Sequence, residues 1–486
     1  MRRTWADLGG RRGERGTDGS RRGGLALLLL AAAAATAPAA PLAGHWEGAI
    51  ELPGLSLTIR VDFVEGEGGT WSGSIDIPQQ GAAGLPLGDI AVAADSVAFA
   101  MPGIPGDPRF SGRFADAGIA GTFTQNGRSF PFHLGRETAP GPVRPQEPAP
   151  PFPYRSEELS FASGEIRLAG TLTLPAGEGP FPAALLVSGS GPQNRDEEVF
   201  GHKPFLVIAD YLTRAGIAVL RVDDRGVGGS GGSLGEATTA ELAEDALAAV
   251  RTLRARPEIA SARVGIIGHS EGGLIGPLAA ARSQEVAFVV MLAGPGVPGG
   301  EVLRLQSARI LAASGATEAE IQAQSEAMAA MLALIEAEAD SAALRAKIEE
   351  LAAAQVAALP DSLRPTGEEV ESQLEQQLAA MNQPWFRYFI TYDPRPALRQ
   401  LRVPVLALIG EHDLQVPPDQ NLPAIEQALR EGGNRDAEVR ELPGLNHLFQ
   451  PSETGNPAEY ATIETTFAPA ALAALSDWLR ARFGAP

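Results

Sequence analysis

Gly268-His269-Ser270-Glu271-Gly272 sets a serine between two glycines. The apolar run Val264-Gly265-Ile266-Ile267 comes before it, and Gly273-Leu274-Ile275, which can open a helix, comes after. A strand that turns at once into a helix bends so tightly that small residues are needed two before and two after the apex. The apex hydroxyl then stands clear of the sheet, and the next backbone N–H points at the reacting oxygen. In a chain with 56 glycines the five-residue pattern is weak by itself; the strand before and the helix after give it weight. Serine is a poor nucleophile at its ordinary pKa, so the chemistry it suggests, acyl transfer through an acyl-enzyme, requires a base within hydrogen-bond reach.

Six histidines are available. His45 and His133 lie in an all-β region and read as structural. His202 opens a helix, His269 flanks Ser270 and is expected to point away from it, and His412 sits beside a candidate acid. His447, in Pro443-Gly444-Leu445-Asn446-His447-Leu448-Phe449, follows the last strand in a loop and is the expected base. A base of this kind needs a carboxylate to hold its tautomer and stabilise the imidazolium. Gly410-Glu411-His412-Asp413-Leu414 follows the strand Val405–Ile409, and Asp413 is the expected acid because a short side chain two residues into the loop can turn toward the histidine; Glu411 is the runner-up. The order Ser270, Asp413, His447 has spacings of 143 and 34 residues.

An oxyanion needs two N–H donors. One is the Glu271 amide. The other is expected in Ser188-Gly189-Ser190-Gly191-Pro192, after the strand Ala183–Val187, with Ser190 favoured and Gly191 the alternative. Small residues there let backbone approach a substrate closely. Trp385, Phe386, Tyr388 and Phe389 are candidates to line a substrate pocket, although aromatic packing alone accounts for them equally well. No metal and no organic cofactor is required. Gly226-Val227-Gly228-Gly229-Ser230-Gly231 fits a dinucleotide fingerprint, but it does not follow the first strand, and the acids Glu244 and Asp245 lie within a helical pattern. A tight loop with Asp224 and Arg225 pairing locally is the preferred reading.

The elements that position these residues alternate. From Tyr154 onward continuous apolar strands at Ala183–Val187, Ile217–Val222, Val264–Ile267, Phe288–Leu292, Val405–Ile409 and Val439–Leu442 follow an opening hairpin around Ile166–Leu174. Helices fit Phe205/Ile208/Leu212, Leu242/Leu247/Val250/Leu253 and Leu472/Leu475/Leu479/Phe483. That alternation predicts an α/β domain over 154–486: a mostly parallel central sheet with helices on both faces. Residues of about 298–395 form an oversized insert with helical periods, read as a helical cap. Residues 44–136 show period-2 alternation, as in Leu55/Leu57/Ile59/Val61/Phe63, and predict a smaller all-β antiparallel barrel or sandwich domain. Seven prolines across 137–153 predict a stiff linker.

The chain has 486 residues, 44% hydrophobic, with a net charge of −20 and no cysteine. Acidity argues against a nucleic-acid partner. The lack of cysteine removes disulfides, thiolate nucleophiles and a lipoprotein anchor. Residues 1–22 carry seven Arg against three acids; an uncharged Leu/Ala run and Ala37-Pro38-Ala39 follow. This predicts a signal peptide over 1–39 and an exported, periplasmic or extracellular protein, with an uncleaved N-terminal anchor as the alternative. Membrane contact is expected only through that segment.

With these residues in place, the chain resembles bacterial secreted carboxylesterases of the α/β-hydrolase superfamily, close to the serine aminopeptidase-like group. The likeness rests on SGSGPQNRDE at 188–197, GHKPF at 201–205, DDRGVGGSGG at 223–232, GHSEGG at 268–273, LAGPG at 292–296, PWFRYF at 384–389, GEHDLQVPP at 410–418 and LNHLFQ at 445–450. It implies an α/β-hydrolase fold, a triad on Ser270, Asp413 and His447, and hydrolysis of small-molecule esters of short acyl chains. An N-terminal β domain is a feature of some relatives. Two other readings stay open: an aminopeptidase-type serine exopeptidase of the same fold, and a lipid- or glycan-binding module with a vestigial hydrolase domain.

Overall fold

The computed structural model describes residues 42–484 except 53–54, 67–69, 78–81, 94, 103, 105, 116–117, 126, 137–143, 338–340 and 359–366. The expected signal at 1–39 and the first part of the expected linker lie outside the described residues. Among the described residues no helix is long and apolar enough to cross a membrane.

The first sheet is a meander of nine strands: β1 (Gly44–Leu52), β2 (Leu55–Glu65), β3 (Trp71–Ile77), β4 (Ala82–Pro86), β5 (Gly88–Val92), β6 (Ser96–Ala100), β7 (Arg109–Ala115), β8 (Gly118–Gln125) and β9 (Arg128–Arg136). Their spatial order is β4-β3-β2-β1-β9-β8-β7-β6-β5, so the first and last strands of the meander pair and draw the sheet round on itself. At the remaining seam the Leu87 amide donates to Gly73 O in β3 at 2.9 Å. The result is an almost closed antiparallel barrel rather than a sandwich. Alternation sends Trp46, Ile59, Val61, Phe63, Phe99, Phe110 and Phe132 inward, all buried. Phe99 stacks on Phe110 with ring centroids 4.5 Å apart, and Phe132 meets Phe110 edge-on at 5.1 Å. These rings occupy the barrel's interior.

After the barrel, Arg144 donates to the carbonyls of Phe200, Gly201, Ala461 and Ile463. Gln146 Oε1 accepts the amides of Thr466 and Phe467 at 2.7 and 3.0 Å, and its Nε2 donates to Phe467 O at 2.7 Å.

The second sheet has eight strands: β10 (Arg155–Ser163), β11 (Ile166–Leu174), β12 (Phe181–Val187), β13 (Ala218–Val222), β14 (Ile259–His269), β15 (Val289–Leu292), β16 (Val405–Gly410) and β17 (Ala437–Leu442), in the order β10-β11-β13-β12-β14-β15-β16-β17. The β10/β11 hairpin and the β11/β13 pair are antiparallel; the six strands from β13 to β17 run parallel. On one face pack α2 (Thr239–Arg254), α3 (Gly272–Arg282), α9 (Arg395–Gln400) and α10 (Pro418–Gly432); on the other pack α1 (Pro204–Arg214) and α11 (Pro469–Phe483). The strand that carries Ser270 is therefore central and sealed on both faces.

Between β15 and β16 stand α4 (Gly299–Ala313), α5 (Glu318–Glu336), α6 (Ser341–Ala358), α7 (Gly367–Met381) and α8 (Pro384–Thr391). Their own apolar core joins Leu332, Ile335, Leu344, Ile348, Leu374, Leu378 and Phe389, and Leu274 of α3 reaches into it. A Thr317/Glu320 capping box starts α5.

Sequence reading passed over β1, β4, β5 and α10. Gly44 and Gly48 dilute the period of β1. Helix α10 begins at Pro418, where a missing N–H costs nothing, and carries Pro423 inside it, so its prolines disguise a helix.

Phe110→Ala removes a ring held by three others and is expected to cost the barrel roughly 3–5 kcal/mol, measured by urea unfolding of the barrel. Hydrogen exchange of β14 and α3 should stay unchanged.

Candidate active site

Ser270 occupies the turn between the end of β14 at His269 and the start of α3 at Gly272. Its φ is +52°, a left-handed conformation that a non-glycine residue adopts only under constraint. The constraint is visible. A Cβ on Gly268 would stand 1.9 Å from Gly272 O, one on Gly272 would stand 2.2 Å from Val187 O, and one on Gly273 would stand 2.5 Å from Gly294 Cα. Strand and helix backbones touch, and the Ser270 amide is tied to Leu292 O of β15 at 2.8 Å.

At the same carboxyl edge, Asp413 follows β16 and His447 follows β17. Asp413 Oδ2 lies 2.9 Å from His447 Nδ1, while Oδ1 accepts the amides of Gln415 and Val416, both at 2.8 Å. Asp413 is fully buried and His447 nearly so. A carboxylate only accepts, so Nδ1 carries the proton and Nε2 is left with a lone pair. The loop around His447 is braced twice. Asn446 Oδ1 accepts the amides of Leu448 and Gln450, and Glu411 Oε2 accepts the Gly444 amide at 2.8 Å. Glu411, the runner-up acid, thus holds the loop's backbone and does not meet the imidazole. Ser270 and His447 line one cavity of about 300 Å³; among the described residues no direct hydrogen bond joins their side chains.

Two consecutive residues of the loop after β12 are held by two carboxyl groups. Ser188 Oγ donates to Asp224 Oδ1 at 2.8 Å, and the Gly189 amide donates to Glu197 Oε1 at 2.8 Å. Burial pushes Asp224 up to about 7 against the bonds from Ser188 and Gln193, and nearby Glu197 and Glu271 add to the rise. Burial also raises Glu271, opposed by hydrogen bonds from Thr239, Trp385 and Ser190. Among the described residues the amides of Ser190 and Glu271 have no acceptor, so two N–H groups beside Ser270 remain free to donate.

Helix α4 contributes Val302, Leu303 and Gln306 to the cavity, and α8 contributes Trp385, Phe386 and Phe389. Trp385 stacks on Phe389, and its Nε1 donates to Glu271 at 2.9 Å, which ties the helical insert to the residue after Ser270. Two expectations change. Tyr388 is outside the lining and stacks on Tyr392 at 5.3 Å. Gly191 is also outside it, at φ +91° where the loop reverses; Gly189, whose added Cβ would meet Ser270 Cβ at 3.0 Å, forms the wall instead.

A sequence model described as the Alpha/beta hydrolase family matches residues 184–463. The chain belongs to the alpha/beta hydrolase family. Over 139 residues it is 41% identical to Esterase EstD of Thermotoga maritima, a stretch covering 29% of this chain and 33% of that protein. The chain thus matches about a third of the length of that curated relative. Among solved structures it is similar to the α/β hydrolase GrgF of a Penicillium species (18% identity, TM-score 0.41, 69% of this chain and all of that one). It is also similar to the Pyrococcus furiosus esterase Pf2001 (16%, 0.40, 71% and 100%) and a proline iminopeptidase of Mycobacterium smegmatis (17%, 0.39, 67% and 98%).

Elsewhere in the chain the glycine-rich loop at 226–231 wraps a carboxylate of its own. Asp223 is forked by Arg195 and accepts the Gly229 amide at 3.0 Å, and a Cβ on Gly228 would stand 2.4 Å from it. Asp224 and Arg225 do not pair locally as expected: Asp224 faces Ser188, and Arg225 reaches Asp245 of α2 at 2.6 Å. His202 is buried between Thr466 and Tyr460, and burial takes it down to about 4, so it is neutral. His45 pairs with Asp62 on the barrel. Sequence reasoning missed Glu197, Asn446, Phe200 and Tyr460. Glu197 sits in an acidic run, Asp196-Glu197-Glu198, that gives no sign of which member is buried.

Asp224 yields a pH prediction. Its folded pKa of about 7 exceeds the ordinary value of 3.8, so the folded state binds more protons between them. Its contribution is complete below about pH 4 and is lost as pH rises through about 7. Asp224→Asn, which keeps an acceptor for Ser188, should flatten the fall in melting temperature between about pH 4 and 7.

Proposed function

We propose that the protein is a serine hydrolase of carboxylic esters. Ser270 attacks the ester carbonyl as His447 Nε2 takes its proton. Asp413 stays ionised and steadies the imidazolium. The amides of Ser190 and Glu271 hold the oxyanion. His447 then protonates the leaving alcohol, and water repeats the sequence on the acyl-enzyme. The observation that carries this reading is the Asp413–His447 contact of 2.9 Å at the cavity that Ser270 enters from a constrained turn. The family and the partial match to an esterase agree with it.

The cavity favours esters of short acyl chains. Its volume of about 300 Å³ and its wall of Val302, Leu303, Phe386 and Phe389 suit a small apolar group. An exopeptidase must bind a free ammonium. The two carboxylates in the wall are already engaged, Glu197 by Gly189 and His269, and Glu271 by Thr239 and Trp385. Export before action rests on the basic and apolar segment at 1–39; the N-terminal sequence of the mature protein from an exporting host is expected to begin near Ala40.

The test is a comparison of p-nitrophenyl butyrate with aminoacyl-nitroanilides on the intact protein. Ester turnover should be faster, and the opposite order would overturn the reading. Ser270→Ala should lower kcat by on the order of 10⁴–10⁶, with folding unchanged by circular dichroism. Asp413→Asn should cost less than that and more than Glu411→Gln.

A further inference from the structure

His269 precedes the nucleophile and takes no part in the mechanism above, yet it is buried and both its ring nitrogens are engaged. Nδ1 lies 2.9 Å from Glu197 Oε1, and Nε2 lies 3.0 Å from the backbone carbonyl of His447. A carbonyl oxygen cannot donate, so Nε2 carries a proton. Glu197 Oε1 also accepts the Gly189 amide at 2.8 Å, and as a carboxylate oxygen it can only accept from Nδ1 as well. Nδ1 therefore carries a proton too.

We propose that His269, held as an imidazolium by Glu197, is a positioning residue: one buried ion pair fixes the height of the His447 loop through its carbonyl and the register of the oxyanion loop through Gly189. The inference rests on the assignment of His447 as base.

The charged and titratable groups around the pair are Glu197, His447 and Asp413, with Asp224 beyond Glu197. Burial alone would lower His269; the charge and hydrogen bond of Glu197, the His447 carbonyl and Asp413 outweigh it and raise it. The two imidazole centroids are 4.9 Å apart.

Two readouts test this. In ¹⁵N-histidine-labelled wild-type protein at pH 8, both His269 nitrogens should be protonated; an unprotonated ring nitrogen overturns the proposal whatever the protein hydrolyses. On p-nitrophenyl butyrate, His269→Asn should lower kcat about 10- to 100-fold with KM nearly unchanged, per active site titrated by a fluorophosphonate. Glu197→Gln should lose kcat similarly, whereas Glu197→Asp, which keeps the charge, should retain most of the wild-type kcat. A loss in His269→Asn explained wholly by fewer titratable sites overturns the proposal and leaves the esterase reading standing. Wild-type protein inert toward every carboxylic ester defeats the esterase reading, and the nitrogen spectrum then decides His269 by itself.

Discussion

Backbone against backbone at Gly268 and Gly272 is the contact on which the rest of the site depends. No side chain fits there, so strand β14 passes into helix α3 with a single residue, Ser270, projecting from the junction. That residue is held in the left-handed region, and the strain persists because Gly273 against Gly294 and Gly272 against Val187 O leave the chain no other route. Loop geometry on either side follows from this crossing. The loop after β12 must approach Ser270 with a glycine, Gly189, and the histidine loop after β17 must arrive from the opposite side.

Around that crossing the molecule concentrates buried carboxyl groups in an otherwise apolar sheet edge. Asp224 and Glu197 each take a donor from one of two successive residues, Ser188 and Gly189, so the loop there is fixed without bulk of its own. Burying acids is unfavourable unless every oxygen finds a partner. Here the donors are hydroxyls, amides, an indole and an imidazole, and the Arg side chains nearby are committed to Asp223 and Asp245. The acids that hold the loop keep backbone N–H groups, rather than side-chain cations, as what faces the cavity.

Much of this was legible in the sequence because the informative residues are forced by sterics or chemistry. Gly268, Ser270 and Gly272 mark the crossing; Asp413 sits just past the apolar strand β16 and His447 in the loop after the mixed edge strand β17, so strand ends bring them to one edge. The barrel's alternation was equally plain at Leu57–Phe63. What stayed hidden depends on partners distant in the chain. Glu197 is one of three adjacent acids, and only its meeting with His269, 72 residues on, distinguishes it. His269 is expected from its position to point away from Ser270, and that position says nothing about the loop 178 residues later whose carbonyl it meets. Gly191 and Tyr388 were attractive by composition, and the reversal at Gly191 and the stacking of Tyr388 on Tyr392 removed them from the cavity wall.

Arg144 and Gln146 grip carbonyls and amides at 200–201 and 461–467, and Phe200 and Tyr460, which border the cavity, stand at the edges of those gripped segments. The stub of chain leaving the barrel is thereby part of the scaffold of the pocket mouth. The barrel's surface residues His45, Glu47, Arg60, Asp62 and Asp76 share a further cavity with Arg144, Phe200 and Gly201, so a change on that face of the barrel reaches the same clasp.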